Sequence, residues 1–177
     1  MWLVLPAGTG RADGAYVGEL FRTTGPVFNA APWTPIGFAA VGTLRLAFTG
    51  PDAGTLTYTY DGTTVTKAIT RQLFREPPEC TWSAFDRSWE GNVQDLWWNP
   101  DESGWGINLT HQEDVVFATL FTYAAVGRGM WLVMPEGNRT AAGTFSGTLY
   151  RTRGPSFDAA PWAPITPQAV GTRTPAF

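Results

Sequence analysis

Cysteine is almost absent from this chain. Cys80, in "PPECTWS", is the single cysteine among 177 residues. That excludes an internal disulfide framework and an all-cysteine zinc site. Cys80 is then either a free thiol or half of a bridge to a partner outside the chain. Histidine is as scarce: His111 stands alone. Charge is thin, at 15% against roughly 25% in ordinary globular proteins, with a net charge of −3. No basic run exists, so the electrostatic footprint of a nucleic-acid binder is missing. No apolar stretch approaches the roughly 18 residues of a membrane helix. The opening "MWLVLPAG" is too short, and lacks the positive flank, for a signal peptide. No helical period persists beyond two turns, and no nucleophile-elbow motif occurs.

What is present is aromatic and heavily punctuated. The chain carries 9 Trp, 11 Phe and 5 Tyr, with 20 Gly and 14 Pro, and 44% of it is hydrophobic. That is too apolar for disorder. Thr, Val and aromatics broken by Gly and Pro are the vocabulary of an all-β protein. "AVGTLRLAFTG" (40–50) sets Leu44, Leu46 and Phe48 against Thr43, Arg45 and Ala47. "AGTLTYTYDG" (53–62) ends in a hairpin dipeptide and leads into "TTVTKAITRQLF" (63–74). "GWGINLTHQ" (104–112), "VVFATLFTY" (115–123), "MWLVMP" (130–135) and "GTFSGTLYRT" (143–152) read as further strands. "GPSFDAAPWAPITPQ" (154–168) holds four prolines, so an irregular loop is expected there.

The chain also repeats itself. Met1 aligns with Met130, an offset of 129, and "GELFRTTGPVFNAAPWTPIGFAAVGT" (18–43) lies on "GTLYRTRGPSFDAAPWAPITPQAVGT" (147–172). Phe48 lies on Phe177, and over this window more than half of the positions are identical. Repetition constrains the fold before anything else does. One unit of roughly 129 residues is expected to hold about seven consecutive antiparallel strands, a meander closed into a barrel or folded into a sandwich. Residues 1–75 read as the C-terminal part of a first β-unit, 76–93 as a linker, and 94–177 as the N-terminal part of a second. Alternatively, 1–125 closes one permuted barrel and leaves 130–177 as three strands without partners. Met1 then stands in the third strand of a unit whose first two strands are upstream, within 94–125, or donated by a neighbour.

"DLWWNPDESGWGINLTHQEDVVFATLFTY", "MWLVMP", "GTLYRTRGP" and "TKAITRQLF" resemble a tandem repeat of exported proteins of Gram-negative bacteria, with the pattern "WWNPxESGWGxNLxHQ". The likeness covers nearly the whole chain. It implies a secreted or cell-surface, repetitive β-protein and no assigned reaction. In such repeats a cysteine near the unit boundary is usual, which would make Cys80 an inter-unit disulfide partner.

Candidate chemistry centres on "WWNPDESGWG" (97–106). Asp101 and Glu102 could act as an acid and base pair. Adjacent residues on a strand point to opposite faces, however, and "NPD" is turn chemistry in which Asn99 or Asp101 bonds its own backbone. His111 with Glu113, Asp114 or Asp101 makes a weak metal set, and a polar strand-end role is the plainer reading. A calcium site from Asp101, Glu102 and backbone carbonyls is the other metal option. "NLT" (108–110) and "NRT" (138–140) fit the N-glycosylation pattern, which carries little weight in a bacterial protein. Trp97, Trp98 and Trp105, with Asn99 and Asp101, could hold a sugar on flat aromatic faces.

Trp33 and Trp162 occupy one repeat position inside Pro-rich loops, where burying Trp makes sense if it plugs a junction. The expected function is therefore non-enzymatic and structural: β-units associating end to end by strand complementation, in a filament or surface array. Met1, Trp2, Met130 and Trp131 mark the junction strands, Trp33 and Trp162 the plugs, and Cys80 a further contact. The expected partner is the protein itself, with polysaccharide as the alternative, and no cofactor is expected.

Overall fold

The structure, a computed structural model, describes residues 2–76 and 92–175. Met1, Cys80 and most of the expected linker lie outside the described residues. The chain is all-β, with eleven strands and no helix among the described residues. They form two open antiparallel sheets. One runs in the order β1 (Thr9–Gly10), β2 (Tyr16–Thr24), β3 (Gly37–Phe48), β4 (Ala53–Tyr60) and β5 (Thr63–Thr70). The other comprises β6 (Asp95–Trp97), β7 (Gly106–Gln112), β8 (Val115–Tyr123), β9 (Gly129–Ala141), β10 (Thr144–Arg153) and β11 (Thr166–Arg173), in the order β11-β10-β9-β8-β7-β6.

Residues 94–125 therefore do not close a permuted barrel with 1–75. Their strands continue into the sheet that holds 129–173, so β9, β10 and β11 find partners within the chain. Sequential hairpins make this the shortest connection, and short loops favour adjacent pairing.

The register follows the side-chain pattern. Tyr16, Leu46 and Leu56 lie opposite one another, as do Gly18, Leu44, Tyr58 and Val65; the alternate row is Glu19, Thr43, Thr59 and Thr64. A slip of one residue would exchange these rows between faces. The β4–β5 turn has positive φ at both central residues, 49° at Asp61 and 79° at Gly62, as a tight primed turn requires.

The two copies fold in one register. Thr9 pairs with Val17 as Asn138 does with Ser146, and Val4 bridges Phe21 as Val133 pairs with Tyr150. Leu20 pairs with Gly42 as Leu149 does with Gly171, and both ladders slip at that point. Pro32 and Pro161, also 129 apart, both follow cis bonds.

Residues 2–6 form no continuous strand; among them a single bridge at Val4 is what corresponds to the first half of β9. β9 lies between β8 and β10, whereas among the described residues the first copy has no β8-like strand on that side. A segment with one ladder neighbour keeps fewer hydrogen bonds than one with two. The same asymmetry sets burial: Phe145, beside His111 at 5.1 Å between ring centroids, is 1% exposed, and its counterpart Tyr16 is 50% exposed.

By contact density the chain forms two compact units. The first is Met1–Gln72 with Tyr123–Met130 and Ser156–Pro161; the second is Leu73–Thr122, Trp131–Pro155 and Trp162–Phe177. The second has the larger core, of Leu109, Val116, Ala118, Met134 and Phe145.

Candidate functional site

The first unit is built around Tyr123, the last residue of β8. It is 0% exposed. Its ring lies 6.0 Å from that of Trp2 and 6.5 Å from that of Trp33. Backbone bonds fix the segment that carries it: Phe28 N–H donates to Tyr123 O, and Gly25 N–H to Gly127 O, each at 3.1 Å. Thr24 and Arg128 form an antiparallel bridge. The glycine at 25 is a steric requirement, since a Cβ there would run into the Tyr123 ring. Thr23 Oγ1 and Tyr123 OH are both buried and approach one another without forming a hydrogen bond of good geometry, and neither has another partner. Burial pushes the phenol pKa up, and the approaching Thr23 hydroxyl offsets this in part.

The same unit includes the proline-rich segment Ser156–Pro161. Phe157 sets its ring 5.9 Å from Tyr58 and 5.5 Å from Tyr60, and Tyr58 OH donates to Phe157 O at 3.4 Å. Edge and tilted aromatic contacts of this kind add about 0.5–1.5 kcal/mol each beyond area burial. Two segments from the second half of the chain thus help to build the body of the first.

Trp2 and Trp33 are brought together on Tyr123. Met130 and Trp131 sit half-buried in β9. Trp162 differs from its counterpart Trp33: it is 54% exposed. The residues that sequence reasoning missed are Tyr123, Tyr58, Tyr60 and Phe157. Tyr123 looked like the end of an ordinary strand. The signal available was its place immediately before the "AAVGRG" turn, where a bulky ring at a hairpin tip has reach.

The tryptophan cluster of the second unit is less platform-like than its sequence suggests. Trp98 is 57% and Trp97 43% exposed. Trp97 Nε1–H donates to Val93 O at 2.9 Å, and Trp105, half-buried, donates to Glu102 Oε2 at 2.8 Å. Asn99 Oδ1 accepts the Asp101 N–H at 3.0 Å, and Glu102 N–H donates to Asn99 O at 3.1 Å. This is the turn chemistry that "NPD" implies. Trp97 also lines a cavity of about 290 Å³ with Ile107, Leu109, Leu120, Leu149 and Arg173.

His111 is structural. Val93 N–H donates to Nδ1 at 3.1 Å, so Nδ1 is unprotonated, and Nε2–H donates to Glu113 O at 2.6 Å. Both ring nitrogens are engaged with backbone, and no group of three or more metal-capable side chains occurs among the described residues. Burial pushes the imidazole pKa down; the Glu113 carbonyl opposes this, Arg139 adds to it and Asp114 opposes it. The unfolded chain takes up a proton at the ordinary value of about 6.5, while the folded chain resists until lower pH. Below about 6.5 the unfolded state binds more protons, so stability falls as pH drops through that value. Thermal midpoints between pH 7.5 and 5.5 should decline in the parent chain and stay flatter in His111→Gln. Equal slopes in the two proteins would defeat this assignment.

No helix among the described residues is long and apolar enough to cross a membrane. Comparison with protein-family models, curated proteins and solved structures returns no match.

Proposed function

We propose that this is a non-enzymatic, exported structural protein of bacterial origin whose β-units associate end to end by strand complementation. One observation carries the reading. The first unit is a composite, in which Tyr123–Met130 and Ser156–Pro161 from the second half of the chain complete its body. The Thr24–Arg128 bridge and the Tyr123 and Phe157 contacts support it, since each joins the first half of the chain to a segment of the second. Both sheets are open, and open edges template further strands. Large apolar side chains remain exposed, among them Phe28 at 62%, Phe38 at 71% and Val126 at 77%. Heterologous contacts of this sort build open assemblies.

Light scattering over a concentration series tests it. Species heavier than the 19.3 kDa chain, growing with concentration, are expected. A single monomer at every concentration would overturn the reading.

The second reading is carbohydrate binding at Trp97 and Trp98, favoured by the exposure of Trp98. Quenching of tryptophan emission by a polysaccharide, lost in Trp98→Ala, is its signature; unchanged emission across a glycan panel removes it.

A further inference from the structure

β11 and β3 hold the same place in the two copies, with equivalent registers to β10 and β2. Their opposite edges differ. β3 carries β4 there, with Gly42 opposite Tyr60, Thr43 opposite Thr59 and Leu44 opposite Tyr58. β11 is the last strand of its sheet, and all eight of its residues are exposed.

Glycine marks what that edge accommodates. A Cβ at Gly42 would collide with the Thr59 carbonyl, so the missing side chain is what lets β4 approach. Gly171 is the same position of the repeat, yet among the described residues nothing lies within 4 Å of where its Cβ would be. Its φ is not positive. Nothing in its own ladder demands glycine; a crossing strand of the β4 kind would.

The polar groups are also turned the right way. Asp61 N–H donates to Val41 O at 3.2 Å. By strand alternation Thr43 and Arg45 therefore turn their amides to β4, and Thr172 and Thr174 are their counterparts. Phe145 N–H donates to Pro175 O at 3.0 Å, so Pro175, which has no N–H, faces β10 and removes no donor from the bare side. Along this edge runs the cavity lined by Trp97, Ile107, Leu109, Leu120, Leu149 and Arg173. Arg173 and Pro175 are the counterparts of Leu44 and Leu46, whose partners are Tyr58 and Leu56. The row of β4 that carries Leu56 and Tyr58 is thus the one that would enter it.

We propose that the edge of β11, bare among the described residues, and the adjoining cavity dock a β-hairpin of the β4–β5 kind. It lies antiparallel, with Tyr60 opposite Gly171, Thr59 opposite Thr172 and Tyr58 opposite Arg173. Main-chain bonds supply affinity, and the alternating Leu and Tyr side chains supply specificity. This rests on the complementation reading and names the segment that complements.

The test uses a labelled synthetic peptide of residues 49–72 titrated into the intact chain, with binding read by fluorescence anisotropy and amide exchange. Saturable binding with slowed exchange at Thr172 and Thr174 is expected. Gly171→Ala should melt as the parent does and bind at least tenfold more weakly. The same loss is expected when the peptide is N-methylated at Thr59, a change that leaves the protein untouched. A peptide that does not bind, or that binds equally well after both changes, overturns the site. Scattering separates this from the parent reading. A chain that self-associates yet ignores the peptide keeps the structural role and loses this site. A strictly monomeric chain that binds the peptide keeps the site and loses the self-association.

Discussion

Gly42→Ala should cost about 3 kcal/mol, and Gly171→Ala less than about 0.5 kcal/mol. The two residues share one position of the repeat, flanked by "AVGT" in both copies, and any scale of strand propensity treats them alike. What differs is the neighbour. At Gly42 the new methyl meets the Thr59 carbonyl, backbone that can move only by parting β3 from β4; at Gly171 it meets open space. For a body of this size, 3 kcal/mol lowers the melting midpoint by roughly 12–24 °C, which thermal circular dichroism resolves easily. Equal shifts in the two variants would show that β4 does not cross Gly42 as described.

Tyr123→Ala is expected to be as damaging, at about 3–5 kcal/mol for loss of a fully buried aromatic. The phenyl ring, not the hydroxyl, does this: the ring packs against Trp2 and Trp33, while the OH forms no hydrogen bond of good geometry. Tyr123→Phe should therefore be neutral, or stabilising by up to about 1 kcal/mol, because it removes an unsatisfied buried group. Amide exchange locates the effect. The Gly25 and Phe28 amides, bonded to Gly127 O and Tyr123 O, should lose protection in the alanine variant and keep it in the phenylalanine one. Global unfolding without selective loss at these amides would mean that the hairpin tip is not what closes the first unit.

Strand identity was written in local chemistry. The alternation of Leu44 and Leu46 with Thr43 and Arg45 and the "DG" turn read directly, because period and turn type depend on residues one or two apart; the proline-rich loop expected over 154–168 is shorter, since β11 begins at Thr166 and takes Pro167 into its ladder. "VVFATLFTY" (115–123) coincides with β8. Site chemistry was legible only where it was local, as at Asn99, whose turn needs nothing beyond Asp101.

Partnership was another matter. "MWLV" opens both copies, yet it contributes one bridge in the first and belongs to a 13-residue strand in the second. Tyr16 is half exposed and Phe145 buried, from one repeat position. Trp33 packs on Tyr123 while Trp162 is more than half exposed. The sequence by itself determined that the chain is all-β, where most strands run and that two copies share one register. That 115–123 pairs with β9 rather than closing onto residues 1–75, and whose loop packs on Tyr123, were decided only by the tertiary structure. Two segments identical at more than half of their positions offer similar local free energies, so the choice falls to the long-range neighbour that is present beside one copy and missing, among the described residues, beside the other.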